Sequence, residues 1–132
     1  MFNGIYVNTG SYYPTSIQNN VIRNIDYYSS SATPWCGIYI QAGLVSVGDI
    51  TGNIIGSSTS TNSIALNNGN QNAIAYGIYH NSNSNVNISN NTIGSIILNG
   101  SSTRAFNFIG IYVSSNATSN NVINNNIIGS SS

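Results

Sequence analysis

Six side chains in this 132-residue sequence could support acid–base, metal or thiol chemistry: Asp26, Asp49, Arg23, Arg104, His80 and Cys36. Their spacing assembles none of it. Glycoside hydrolysis generally needs two carboxylates at a set separation, and Asp26 and Asp49 stand at non-equivalent points of the chain. There is no Lys or Glu to complete another arrangement. His80 has no second His, and the acidic residue nearest to it in sequence is Asp49, so it lacks the companions a metal or catalytic role requires. It is expected to be an internally hydrogen-bonded or locally exposed histidine. Cys36 has no partner for a disulfide and is expected to pack as a small apolar residue. The chain therefore reads as non-catalytic, with no catalytic, cofactor-binding or metal residues and no cofactor.

A different chemistry is open to Tyr6, Tyr39, Tyr79 and Tyr112. Aromatic faces stack on apolar rings, including those of sugars, and each of these tyrosines ends a Gly-Ile-Tyr triplet: Gly4-Ile5-Tyr6, Gly37-Ile38-Tyr39, Gly77-Ile78-Tyr79 and Gly110-Ile111-Tyr112. They alternate with residues expected to point inward, so they form an outward aromatic stripe. That stripe is either a possible interaction face or a cross-strand stack that stiffens a sheet.

The elements that would position the stripe repeat in step with it. A second landmark follows each triplet: Ile17-Gln18-Asn19-Asn20-Val21-Ile22, Ile50-Thr51-Gly52-Asn53-Ile54-Ile55, Ile88-Ser89-Asn90-Asn91-Thr92-Ile93 and Ile123-Asn124-Asn125-Asn126-Ile127-Ile128. Without a gap, these copies align Ile17, Ile50, Ile88 and Ile123. They also align Asn20, Asn53, Asn91 and Asn126, and then Ile22, Ile55, Ile93 and Ile128. The glycines of the triplet are 33, 40 and 33 residues apart. Two landmarks recurring together mark a repeat architecture. Four units follow, at approximately 1–34, 35–72, 73–105 and 106–132. Each has room for about three short strands and three turns; Ser63–Leu66 and Ser95–Leu98 parallel one another as a third strand.

Such a unit cannot bury its own apolar residues, but a stack of them can. Equivalent strands would lie parallel, and parallel sheets are ordinarily covered by helices. None is available here, so the sheet must curl round and cover itself. The expected fold is all-β, a parallel β-helix or β-solenoid of about four coils without helices. The Ile residues stack inside, and the four Asn residues form a ladder at a turn, since Asn suits turns and stacked amides bond from coil to coil. Ile93→Asn should then be costly, whereas Ser101 and Ser102, in a turn, should tolerate Ala.

Composition narrows the remaining classes. Charged residues make up 3% of the chain, against about 25% in an average soluble protein, while 25 Asn, 22 Ser and 21 Ile stand in their place. A net charge of zero offers no footprint for nucleic acid, and no apolar run is long enough to insert in a membrane as a helix. Thr residues do not align from coil to coil, so no flat Thr ladder of the ice-binding kind forms.

The Gly-Ile-Tyr strand followed by Ile-x-x-Asn-x-Ile resembles the repeat of right-handed parallel β-helices, the pectin-lyase-like superfamily. The Asn/Ser/Ile-rich flavour is similar to long secreted bacterial surface proteins whose β-helical repeats form stalks or adhesive fibres. The resemblance implies a structural segment of a secreted or cell-surface fibre or adhesin. The alternative it implies is a carbohydrate-binding face on a polysaccharide-processing protein. The expected partners are further coils of the same polypeptide or end-to-end copies of the chain, with surface glycans as a further candidate. The expected location is extracellular, at the cell surface, with the chain an excerpt of a longer solenoid.

Overall fold

A computed structural model describes residues 1–69, 71–100, 103–114 and 120–129. Ser101 and Ser102 lie outside the described residues. The described residues contain no helix, and strands follow one another at short intervals. The first coil carries β1 (Phe2–Asn8), β2 (Thr15–Ile17), β3 (Val21–Ile22) and β4 (Ile25–Ser29). The second carries β5 (Trp35–Ala42), β6 (Val45–Val47), β7 (Ile54–Gly56) and β8 (Ile64–Asn68). Next come β9 (Ala73–His80), β10 (Val86–Ser89), β11 (Thr92–Gly94) and β12 (Ile96–Asn99). The last coil carries β13 (Phe106–Val113), β14 (Val122–Asn124) and β15 (Ile127–Ile128).

Equivalent strands stack into four sheets, in the orders β1-β5-β9-β13, β2-β6-β10-β14, β3-β7-β11-β15 and β4-β8-β12. Every pairing is parallel. The chain is a parallel β-solenoid. Each complete coil has four strands and not three, because the Asn-rich landmark is itself bent. Asn19, Asn90 and Asn125 have φ of 54°, 60° and 51°, the left-handed region that Asn tolerates better than most residues. The chain turns there, so in these three copies the landmark's first Ile lies on one strand and its second Ile on the next.

The register keeps three of the expected columns and alters one. Ile22, Ile55, Ile93 and Ile128 stack in turn, as do Ile5 on Ile38 and Ile78 on Ile111. Ile64 and Leu66 pair with Ile96 and Leu98. The ungapped alignment of Ile50 with Ile17, Ile88 and Ile123 is overturned: Val47 occupies that position, paired with Ile17 and Ile88. Ile50 is 81% exposed. Three residues are inserted here. Five residues, 48–52, separate Val47 from Asn53 where Ile88 and Asn91 are separated by two. The loop is held from below by Gln18, whose Oε1 accepts the N–H groups of Ile50 and Thr51 at 3.3 and 2.9 Å. Its Nε2 donates to Asp49 Oδ1.

Ile38, Ile40, Val47, Ile55, Ile78, Ile88 and Ile93 are fully buried. Each fully buried Ile is worth roughly 1.5–3 kcal/mol relative to exposure. Burial is complete only in the middle coils. In the fourth coil Ile123 and Ile128 are 50% and 54% exposed.

Candidate functional site

The outer face of the first sheet carries the aromatic stripe. The register pairs Tyr6 with Tyr39, Tyr39 with Tyr79, and Tyr79 with Tyr112. Successive ring centroids are 5.6, 5.1 and 5.3 Å apart. This spacing follows directly from strands about 4.8 Å apart. The middle pair is stacked at an interplanar angle of 27°, so those faces are turned largely toward each other. Tyr6 and Tyr112, at the ends, are the more open, at 54% and 41% exposure. Tyr39 Oη donates to Gln41 Oε1 beside it.

Tyr76 is a fifth member that alternation does not reveal. Residues three apart in a strand belong to opposite faces, yet the Tyr76 and Tyr79 rings stack at 4.8 Å, and Tyr76 lies 5.6 Å from Tyr112. The alternation breaks between them, where Gly77 and Ile78 are both buried. Glycine is required at this break. A Cβ on Gly77 would stand 2.5 Å from Gly110 O and 2.8 Å from Ile93 Cγ2. The same crowding meets Gly37, whose Cβ would be 2.6 Å from Gly77 O and 2.9 Å from Ile55 Cγ2. The triplet's glycine is thus the hole into which the landmark's second Ile packs. The signal was present in the sequence as a glycine that never varies among the four copies.

Below the tyrosines, in register with Tyr76, is Cys36. Its thiol is buried and donates to Ile38 O at 3.2 Å. Burial pushes it up to about 12, against the smaller opposing effect of hydrogen bonds with the Tyr79 and Ile38 backbone. A thiol held protonated is a poor nucleophile. Burial also raises Tyr76 and Tyr79, and the neighbouring phenols add to it.

The Asn ladder lies at the corner between the second and third sheets. Asn53 Oδ1 accepts the backbone N–H and Nδ2–H of Asn20 at 3.0 and 2.9 Å. Asn91 Oδ1 does the same for Asn53, and Asn126 Oδ1 for Asn91, at the same distances. The Nδ2 of each of the three later members then reaches a carbonyl of the coil before: Asn53 to Ile17 O at 2.9 Å, Asn91 to Val47 O at 3.0 Å and Asn126 to Ile88 O at 2.8 Å. Asn53 and Asn91 are 1% and 0% exposed, so these bonds satisfy amides that burial would otherwise penalise.

His80 contrasts with that order. It continues the inward column of Val7 and Ile40 and pairs with Val113. Its exposure is 0%, and among the described residues neither ring nitrogen has a hydrogen-bond partner. The expectation of an internally bonded or locally exposed imidazole is overturned on both counts, because the column position dictates an inward side chain whatever its polarity. Burial lowers its pKa from 6.5.

The remaining chemistry-bearing residues stay apart. Asp26, on β4, accepts from Asn67 Nδ2 at 2.5 Å, while Asp49 lies in the inserted loop beside Gln18. Arg23 and Arg104 are exposed. Among the described residues no three His, Cys, Asp or Glu side chains cluster as a metal site. No helix there is long and apolar enough to cross a membrane.

No family model, curated protein or solved structure matches the chain. The two features that run its length are the tyrosine stripe outside and the asparagine ladder inside. An open groove of about 390 Å³ at the C-terminal end is lined by Ile93, Ile96, Leu98, Phe108 and Ile128 among others. It lies where the fourth sheet stops one strand short of the other three.

Proposed function

We propose that the chain is a non-catalytic structural segment of a secreted or cell-surface bacterial fibre or adhesin, built on a pectin-lyase-like right-handed β-helix. The asparagine ladder carries this reading. It repeats one hydrogen-bond pattern at every junction, as a scaffold does and as a local reaction centre does not. The scattering of Asp26, Asp49 and His80 supports the same conclusion. The measurement is an activity panel: the purified chain with acidic and neutral polysaccharides, assayed for reducing ends and for unsaturated products. Turnover abolished by substituting Asp26 or Asp49 would overturn the proposal.

The tyrosine stripe favours a second reading, a carbohydrate-binding face. Tyr76, Tyr79 and Tyr112 form a contiguous aromatic patch, of a kind that sugars use. A glycan array with the wild type and a Tyr39→Ala/Tyr79→Ala variant separates the two. Binding lost in the variant supports the face, and no binding by either leaves the stripe as a stiffener.

A further inference from the structure

The turns between the first and second sheets differ in length from coil to coil. Six residues, 9–14, join β1 to β2, and five, 81–85, join β9 to β10, but only Gly43 and Leu44 join β5 to β6. The short turn lies recessed between the long ones. A groove of about 470 Å³ opens over it on the flank of the solenoid, lined by residues 9–11 of the first coil on one side and 81–84 of the third on the other. Both walls are tied to the floor. Thr9 N–H donates to Ala42 O at 3.1 Å and Leu44 N–H to Gly10 O at 3.4 Å, while Ser82 Oγ donates to Gly43 O at 3.2 Å. A preformed groove of this kind costs a ligand little ordering. The tyrosine stripe runs up to its edge. The register passes from Val7–Ile40 to Asn8–Ala42, so Gln41 is bulged out of the pairing, and bulges re-aim side chains. Gln41 Oε1 accepts from Tyr39 Oη, and Asn81 Nδ2 donates to the same Oη at 3.5 Å. Gln41 Nε2 is left at the groove's edge with no acceptor among the described residues. Tyr12 and Tyr13, the most exposed rings among the described residues, stand on the loop that makes the first-coil wall, edge to face at 4.8 Å.

We infer that this groove, with the tyrosines beside it, binds an uncharged glycan. The inference rests on the carbohydrate-face reading and names the class of sugar and the place that orients it. A sugar ring offers apolar C–H faces and hydroxyls that both donate and accept. Tyrosine rings match the first, and side-chain amides and hydroxyls, each donor and acceptor, match the second. The stripe alone supplies little of the second, since its middle rings are stacked on each other; the groove supplies it. Charge decides the class of sugar. No Asp, Glu, Lys or Arg lines the groove or lies on β1, β5, β9 or β13. Arg104 precedes β13, at the opposite end of the first sheet from the groove. An acidic polysaccharide or a phosphate would bring anions that need cationic partners, and desolvating them unpaired is costly. A neutral sugar asks for no such partner.

The test is isothermal titration calorimetry of the whole chain with soluble hexasaccharides of glucose, xylose, mannose and N-acetylglucosamine, and with oligogalacturonate as the anionic probe. At least one neutral probe should bind, and oligogalacturonate should not. Ser84→Leu fills the groove from its third-coil wall, and Gln41→Leu removes the amide at its edge. Each should weaken neutral binding about tenfold or more. Circular dichroism and melting establish that each variant is folded; if one is not, the other decides. If neither is, Tyr12→Ala/Tyr13→Ala, at exposed positions, should weaken binding in the same way. A neutral probe bound equally well by the wild type and by a folded groove variant overturns the inference, as does oligogalacturonate bound as tightly as any neutral probe. In either case, binding lost in Tyr39→Ala/Tyr79→Ala would leave the carbohydrate-face reading standing, so the two failures are distinguishable. A wild type that binds no probe overturns both.

Discussion

Polar side chains enter the same apolar interior at two places and meet opposite conditions. At the corner, Asn53 and Asn91 are buried with every amide group bonded, to a neighbouring Asn on one side and a carbonyl on the other. On the first sheet, His80 is equally buried, and among the described residues both ring nitrogens are unpartnered. The difference is one of repetition. A side chain that recurs in each coil finds its own kind 4.8 Å or so above and below, and an amide is both donor and acceptor. A single imidazole between Ile40 and Val113 finds only methyl groups.

The largest expected effect comes from breaking the bonded column. Asn91→Leu keeps the branched shape, at a somewhat larger volume, but removes the acceptor of Asn53 N–H and Nδ2–H and leaves the Val47 carbonyl without that donor. Each buried polar group so orphaned costs about 1–3 kcal/mol, and a loss of about 4 kcal/mol should appear as a lower midpoint in urea unfolding. Ile93→Asn makes the reverse error, an amide in an apolar column, and should cost about 3 kcal/mol. If Asn91→Leu melts like the wild type, the ladder is not what holds the corner.

The glycine break under the tyrosines comes next. Gly77→Ala puts a Cβ against Gly110 O and Ile93 Cγ2. Overpacking of this kind costs about 1–3 kcal/mol. The change should also disturb the Tyr76–Tyr79 stack, visible in near-ultraviolet circular dichroism. A neutral Gly77→Ala would show that the backbone there can yield.

Relieving the unbonded column should stabilise. His80→Val restores the residue found at Val7 and Val113 and removes two orphaned nitrogens, a gain of about 1 kcal/mol. The pH dependence sharpens the point. The folded imidazole lies below its ordinary 6.5, so between those two values the unfolded chain binds the additional proton. Stability is full above about 6.5, declines as pH falls through that interval, and levels once the folded imidazole protonates too. No titratable residue lies on β2, β6, β10 or β14 across the interior, and the tyrosines of β1, β5 and β13 face outward. His80→Val should remove the decline across that interval; a variant as acid-sensitive as the wild type would assign it elsewhere.

What the sequence disclosed follows from the same principle. Columns that repeat are legible, so the solenoid, the Asn ladder and the Ile22–Ile128 column can be read from spacing alone. Local departures are not. The fourth sheet is hidden because left-handed Asn19, Asn90 and Asn125 bend a landmark that reads as one strand. Tyr76 is hidden because alternation assumes an unbroken strand, and Gly77-Ile78 breaks it. The missing partners of His80 depend on what stands above and below it, which no single repeat contains.

Ile50 is the case where spacing misleads, and it supplies the smallest predicted effect. It lies 13 residues after Gly37, as Ile17 lies 13 after Gly4, so an ungapped alignment gives it a core position. In the fold, the second coil reaches the corner sooner, at Val47, and then spends three residues more before Asn53. The shortened and lengthened stretches cancel in the count. The register is recovered at Asn53 because its bonds to Asn20 and Asn91 fix the corner regardless of the loop before it. Ile50→Ser should therefore change stability by no more than about 0.5 kcal/mol, as exposed substitutions usually do. Ile88→Ser, at a fully buried position, should cost several times as much in the same urea titration. Equal losses at Ile50 and Ile88 would return Ile50 to the core and remove the Asn ladder's claim to set the register.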